Sequence, residues 1–457
     1  MLSTYALARA IGGRAVGADA RFDGVTTDSR TIAAGALFVA LHGERFDGHA
    51  YVAQALGGGA VAALVDAASK LSERIPDASL VEVEDTKVAL GRFAAWWRAQ
   101  FALPLIGVVG SNGKTTVKEM IASILRAHFG DQAVLSTEGN LNNDIGVPLT
   151  LLRLRAPHRV GVIEIGMNHR GETAVLAAIA QPTVGLINNA QREHQEFMVS
   201  VDEVAIEHGA LIGALPPDGV AIINADDAHA SQWRTLAAPR ATRTFGLHAK
   251  ADVSAEFDQQ GAQTHLKMTL PNGHAQATLH IAGSHNVRNA LAAAAATSVV
   301  GAGAAAIGLG LSAFRPGKGR LQQSIGARGE VLIDDTYNAN PDSVRAAIDI
   351  LASMRGSRIL VLGDMGEVGT HGAAYHAEVG QYARERGVEQ LFCLGDMTRS
   401  SIASFGAGGE HFIDIDALMK RLASVSSDRA TILVKGSRFM RMERVIAQLR
   451  SGESTCS

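Results

Sequence analysis

The stretch Val108–Met120, VVGSNGKTTVKEM, joins an apolar run to a segment with helical spacing, and its reading decides the fold. A strand that ends at Gly110, a glycine turn, and a helix opened by Lys114 and Thr115 would aim several backbone N–H groups at one point. Such a helix start binds phosphate oxygens. Lys114 would then reach the outer phosphates and Thr115 would hold Mg²⁺. The strict G-x-x-x-x-G-K-[ST] pattern fails, because Val108 stands five residues before Gly113. The competing reading is a glycine-rich turn before an ordinary helix; the strand and helix on either side favour a nucleotide site.

Outward from this loop, short and nearly all-apolar runs alternate with helical segments: LIGVVG, VGVIEIG, VGLINN and VAIINAD. That alternation predicts a parallel sheet covered on both faces. Within it, HLKMTLPNGHAQATLHI alternates with period two around Pro271-Asn272-Gly273, predicting an antiparallel hairpin added to the same sheet. After Phe314 the string RPGKGR reads as a linker, and a second α/β series follows with VLIDD, RILVLGD, QLFCLGD and TILVKGS. Leu-Gly-Asp-Met occurs at Leu362–Met365 and Leu394–Met397, as the same strand-to-helix turn used twice. Residues 1–83 mix short strands with an Ala-rich helix, and FAAWWRAQF predicts an amphipathic helix leading into the loop. The expected architecture is therefore α/β in three domains, 1–83, 84–314 and 315–457.

Composition bounds the function. The 457 residues are 47% apolar and 19% charged, enough for several cores. A net charge of −3 gives no electrostatic footprint for nucleic acid. Two cysteines, Cys393 and Cys456, form no metal spacing or disulfide framework, which fits a cytoplasmic, reducing setting. The N-terminus lacks a basic stretch followed by an apolar core, so no signal peptide is expected. Ala290–Phe314 carries no charge, yet Ala and Gly dominate and Gly301–Gly303 punctuates it. Two buried Ala-rich helices are expected there, and no membrane span.

Further polar strings follow the predicted strands. Ser136–Leu152, STEGNLNNDIGVPLTLL, clusters hydroxyls and amides, Thr137 among them, which could ligate Mg²⁺ or simply cap a helix. Glu164 ends VGVIEIG, where an α/β sheet places its ligands. His194 follows another strand; on spacing alone a lone histidine is more often a packed or surface residue.

The SNGKTT loop together with these strings resembles the Mur ligase family, which includes folylpolyglutamate synthases. The resemblance extends over nearly the whole chain. It implies an ATP-dependent enzyme that joins a carboxylate to an amine through an acyl phosphate. The implied domains are a small mixed α/β UDP-binding domain, a central P-loop parallel-sheet ATPase domain and a C-terminal Rossmann-like domain. It also implies roles for individual residues. Gly110, Ser111, Asn112, Gly113, Lys114, Thr115 and Thr116 would cradle ATP. Asn286 and Asn289 in GSHNVRNALA would lie near the base, Arg320 would grip phosphate, and Asp335 would hold the ribose. Thr115, Thr137, Glu164 and His194 would surround Mg²⁺, with Lys114, His194 and Arg320 as catalytic residues.

TTDSR at Thr26–Arg30, followed by GALFVALHGERFDGHAYV, resembles the family's UDP-binding module, so Asp28, Ser29 and Arg30 are expected on the UDP-linked substrate. DDTYNANPDS, LGDMGEVG and KGSRFMRMERV resemble the members that add D-alanyl-D-alanine to UDP-N-acetylmuramoyl-tripeptide, placing Asn338 and Asn340 on substrate. The alternatives are a diamino-acid-adding member, a folylpolyglutamate synthase, or a regulatory P-loop ATPase that is no ligase. A monomer is expected. One departure stands out: many family members carry a carbamylated lysine downstream of the histidine, where this chain has His208. No lysine occurs between Lys118 and Lys250, so carbamylation there is chemically excluded. The expectation is independence from bicarbonate, with Glu207 or His208 supplying the missing donor and His208 orienting a metal-bound water or phosphate oxygen.

Overall fold

The computed structural model describes residues 1–43 and 46–451. Glu44 and Arg45 of the HGERFDGH stretch, and Cys456, lie outside the described residues. The chain forms three α/β domains, each around its own main sheet.

The central sheet has six parallel strands, in the order Val134–Ser136, Val160–Glu164, Leu105–Val109, Val184–Ile187, Val220–Asn224 and Ala241–Phe245. The inner runs are buried on both faces, which explains their unbroken apolarity. Register decides what meets at the carboxyl edge. Val108 pairs with Glu164 and Val109 with Ile187, so Gly110, Glu164 and Asn188 emerge side by side. Residues far apart in sequence thereby share one crevice, as open α/β sheets provide.

The period-two segment does form a hairpin, Gln263–Leu270 with Gly273–Leu279, but it does not extend the central sheet. It joins Ser254–Gln260 in a separate three-stranded antiparallel sheet. Its strands bury every second residue, for instance Leu266, Met268 and Leu270, and leave the other face in water. A strand of that pattern cannot lie inside a sheet covered on both sides. Its apolar face packs on the helix Ala304–Ala313, which with Ser284–Val299 makes the expected Ala-rich pair. Both pack on the helix Lys114–Phe129. Small residues set the approach: a Cβ on Gly310 would lie 2.4 Å from Ile124 Cα. Among the described residues no helix is long and apolar enough to cross a membrane.

The N-terminal sheet runs Arg14–Val16, Leu80–Val83, Ala62–Asp66, Ala36–Val39, Gly24–Thr26, with only the first pair antiparallel. The amphipathic helix Thr86–Arg98, capped by Asp85, sews this unit to the central one. Its Leu90 and Phe93 share one core with Leu7, Phe22 and Leu64 on one side and Leu151, Leu176 and Ile187 on the other. Phe93 meets Phe22 edge-on at 6.1 Å.

The C-terminal sheet orders its strands Gln322–Ile325, Val331–Asp335, Ala430–Lys435, Ser357–Gly363, Gln390–Leu394 and Gly409–Phe412, parallel apart from the first. The two Leu-Gly-Asp-Met turns end neighbouring strands, and Asp364 of the first accepts from the Thr398 N–H beyond the second at 3.0 Å.

Candidate active site

The carboxyl edges of the central and C-terminal sheets face one cavity of about 1480 Å³. The SNGKTT loop forms its base. Gly113 has φ +82°, and a Cβ there would lie 2.6 Å from Asn289 Oδ1, so glycine is required on both counts. Amides hold the loop open. Asn188 Nδ2 donates to Asn112 O at 2.8 Å and to Asn289 Oδ1 at 2.9 Å, while Asn189 Nδ2 donates to Asn112 O at 2.9 Å. Ser111 Oγ accepts from Gln191 N at 2.8 Å. Such preformed N–H cradles suit phosphate.

Lys114 Nζ donates to Gly110 O at 2.5 Å and to Glu193 Oε2 at 3.1 Å. Glu193 Oε1 contacts His208 Nε2 at 3.0 Å. Burial alone would raise the Glu193 carboxyl, but the Lys114 ammonium and the His208 hydrogen bond outweigh it and hold it at about 2.

Thr115 Oγ1 donates to Glu164 Oε1 at 3.1 Å and accepts from Arg320 at 3.0 Å. Asn142 Nδ2 also donates to Glu164 Oε1, at 2.7 Å. Glu164 Oε2 is buried without a hydrogen-bond partner. An orphaned carboxylate oxygen beside a threonine hydroxyl is the donor set a hard cation takes, and Mg²⁺ usually adds waters and substrate phosphates to one or two carboxylates. The residues fit Mg²⁺.

Thr137 is placed differently from its expected ligand role. Its hydroxyl accepts from the Glu164 N–H at 3.0 Å, and it is 1% exposed, behind the strand end instead of lining the cavity. It orients Glu164. Glu207 and His208 also differ from expectation. Both Glu207 oxygens accept backbone N–H groups, from Gly171 and Thr173 at 2.8 Å each, and so cap the helix Glu172–Ala180. His208 is 1% exposed, faces Glu193, and is absent from the cavity wall.

Asn286 and Asn289 line the cavity; Asn289 braces the phosphate loop and Asn286 donates to Ala282 O at 2.7 Å. Asp335 pairs with Lys435 Nζ at 2.5 Å, and Lys435 also donates to Asn338 O at 2.9 Å. Burial pushes the nearby His285 imidazole down to about 4, helped by Arg288 and Lys435. Asn340 caps the helix Pro341–Ser353 and donates to Asn112 Oδ1 at 2.9 Å, touching the phosphate loop directly. Asp28, Ser29 and Arg30 line no part of this cavity. There Arg30 grips Asp28 at 2.7 and 2.9 Å, lowering the Asp28 carboxyl to about 2.

Two domains meet over the cavity through side-chain pairs that the sequence strings did not reveal as partners. Arg192 binds Asp342 at 2.6 Å and Glu378 at 2.7 Å, with its guanidinium 5.2 Å from the Tyr375 ring centroid. His194 pairs with Glu367 at 2.6 Å, and both have left-handed backbone, φ +48° and +58°. Strain of this kind gathers at functional sites. Arg192→Ala is expected to weaken this closed arrangement by about 1–2 kcal/mol, below the value of a fully buried pair because all three side chains keep water contact. Small-angle scattering should then report a larger radius of gyration; an unchanged radius refutes the clamp.

Three family models match the chain: Mur ligase family, catalytic domain, at residues 11–98; Mur ligase middle domain at 108–297; and Mur ligase, glutamate ligase domain, at 319–438. The UDP-N-acetylmuramoyl-tripeptide–D-alanyl-D-alanine ligase of Escherichia coli (strain K12) is 40% identical over 450 residues, covering 98% of this chain and 97% of that one. The same-named ligase of Bacillus subtilis (strain 168) is 32% identical, covering 93% of each. The crystal structure of MurF from Acinetobacter baumannii superposes with a TM-score of 0.88 at 33% identity, over 97% of this chain and 98% of that one. With the phosphate loop, the orphaned Glu164 oxygen and the two-domain cavity in place, these similarities mean that the chain belongs to the Mur ligase family.

Proposed function

We propose that the chain is an ATP-dependent ligase that adds D-alanyl-D-alanine to UDP-N-acetylmuramoyl-tripeptide, forming peptide bonds for peptidoglycan precursors and releasing ADP and phosphate. The observation that carries this is the near full-length similarity to ligases of that name, together with a cavity that unites the phosphate loop with the NAN segment Asn338–Asn340. The loop Gly110–Thr116 holds the ATP phosphates, Asn286 and Asn289 lie toward the base, and Asp335 takes the ribose. Thr115, Glu164 and His194 hold Mg²⁺, which when bound neutralises charge on the phosphoryl oxygens. Lys114 and Arg320 stabilise charge as the γ-phosphoryl group moves to the tripeptide carboxylate. Asn338 and Asn340 present the incoming dipeptide amine to the acyl phosphate. Domain closure through Arg192 and Glu367 excludes water from that hydrolysable species. Residues 1–83, 84–314 and 315–457 serve as UDP-sugar, ATP and dipeptide modules of a monomer in the cytoplasm.

The test is ADP release from ATP with D-alanyl-D-alanine, lysine, diaminopimelate or glutamate, each with and without the UDP-peptide. Release that requires both the UDP-peptide and D-alanyl-D-alanine is expected. Preference for lysine, diaminopimelate or glutamate would indicate another ligase of the family, and release without the peptide a regulatory ATPase.

Removing residues 1–83 is a poor probe of UDP recognition, because it would strip cover from Leu90 and Phe93. Arg30→Ala is the sharper one. It should raise KM for the UDP-peptide about tenfold, the worth of one charge-assisted hydrogen bond, with kcat unchanged. An unchanged KM overturns the assignment of Asp28, Ser29 and Arg30.

A further inference from the structure

Glu193, directly before His194, received no role from the sequence, yet it is 6% exposed and borders the cavity beside the glycine-rich loop. Its two oxygens are divided between Lys114 Nζ at 3.1 Å and His208 Nε2 at 3.0 Å. His208 is itself 1% exposed, and its Nδ1 is buried without a hydrogen-bond partner. The imidazole therefore presents Nε2–H to Glu193. The flanking residues fix Glu193 along the chain as well. Arg192 is bound to Asp342 and Glu378, and His194 to Glu367.

We propose that Glu193, seated on His208, is a positioning residue that holds the Lys114 ammonium over the phosphate loop, and that this built-in carboxylate frees the site from any need for carbon dioxide. The proposal rests on the ligase reading above. A lysine ammonium is a point charge on a flexible four-carbon stem, so its value to a phosphoryl transfer depends on where it is held. Here Gly110 O and Glu193 Oε2 hold it from two directions before substrate arrives. His208 contributes through Glu193 and not by contact with substrate. Forming a carbamate needs a free amine that takes up CO₂ and releases a proton. No lysine stands between Lys118 and Lys250, and the cavity lysines Lys114 and Lys435 are already paired with Glu193 and Asp335. The carboxylate at this site is instead encoded.

The experiment uses the full chain with ATP, UDP-peptide and D-alanyl-D-alanine. Glu193→Gln should lower kcat about 100-fold, the scale for losing one preorganised electrostatic contact, with KM for both peptide substrates nearly unchanged. In nucleotide-free protein, acetylation of Lys114 by acetic anhydride, read by mass spectrometry, should become several-fold faster once the amine is untethered. His208→Gln, whose amide nitrogen reaches close to the Nε2 position, should retain most activity, whereas His208→Leu should lose kcat as Glu193→Gln does while still unfolding cooperatively. Wild-type rate in CO₂-depleted buffer should not respond to bicarbonate. Near-normal kcat in Glu193→Gln, unchanged Lys114 labelling, equal behaviour of His208→Gln and His208→Leu, or stimulation by bicarbonate each overturns the proposal. If the wild type releases no ADP with these substrates, the ligase reading fails, while the labelling comparison still tests the pairing.

Discussion

Lys114→Ala is expected to lower kcat about a thousandfold or more, while the protein still unfolds cooperatively. The reason is where the charge sits. The ammonium stands at the first residue of the helix Lys114–Phe129, on a loop whose N–H groups can donate to phosphate. It therefore acts on charge that develops at the outer phosphate during transfer, and its loss falls on kcat more than on substrate KM. A secondary effect follows from Glu193, whose carboxyl is held at about 2 with the Lys114 ammonium as its main charge partner. Without that ammonium, His208 alone faces a buried carboxylate, so the unfolding midpoint should drop by a few degrees. The sign can be followed with pH. A depressed carboxyl stabilises the fold above its unfolded value near 4.5 and loses that contribution as pH falls toward 2. The variant should therefore lose less stability than the wild type across that acid window. Activity within about tenfold of wild type would refute the phosphate-site assignment.

Glu164→Gln is expected to cost about 100- to 1000-fold in kcat, with a raised Mg²⁺ requirement. Gln retains an oxygen to accept from Asn142 and Thr115, so the local hydrogen bonds survive. What it loses is the negative charge at the buried oxygen that has no protein partner. The added amide N–H would point where the cation is expected. Titrating Mg²⁺ against ADP affinity by calorimetry separates the two effects: in the wild type Mg²⁺ should tighten ADP, and in the variant most of that gain should vanish. An equal Mg²⁺ response in both proteins refutes Glu164 as the metal carboxylate.

Much of the fold was legible in the sequence because its signals are local. Unbroken apolar runs marked buried parallel strands, and glycine at φ +82° marked the phosphate turn. The Ala-rich, uncharged stretch became two helices because small side chains permit close packing on the phosphate-loop helix. The hairpin was legible as a hairpin, but not its membership of a separate sheet. Period two reports one wet face and leaves the neighbour unnamed.

The candidate site divides along the same physical line. Lys114, Thr115, Glu164 and the asparagines follow strand ends or open helices, positions that local patterning identifies. Glu193 does not: its role depends on His208, 15 residues away on a helix, and on Lys114, 79 residues away on another strand's loop. The contact of Arg192 with Asp342 spans 150 residues and two domains, and that of Asn112 with Asn340 spans 228. Glu207 and His208 are adjacent in sequence, yet one caps a neighbouring helix and the other reaches Lys114 through Glu193. The sequence by itself determined the glycine-rich loop Gly110–Thr116, the sheet class and the lack of any lysine between Lys118 and Lys250. Sheet register and domain docking decided which carboxylate stands beside Lys114, because side-chain partnership depends on distances that only the folded backbone sets.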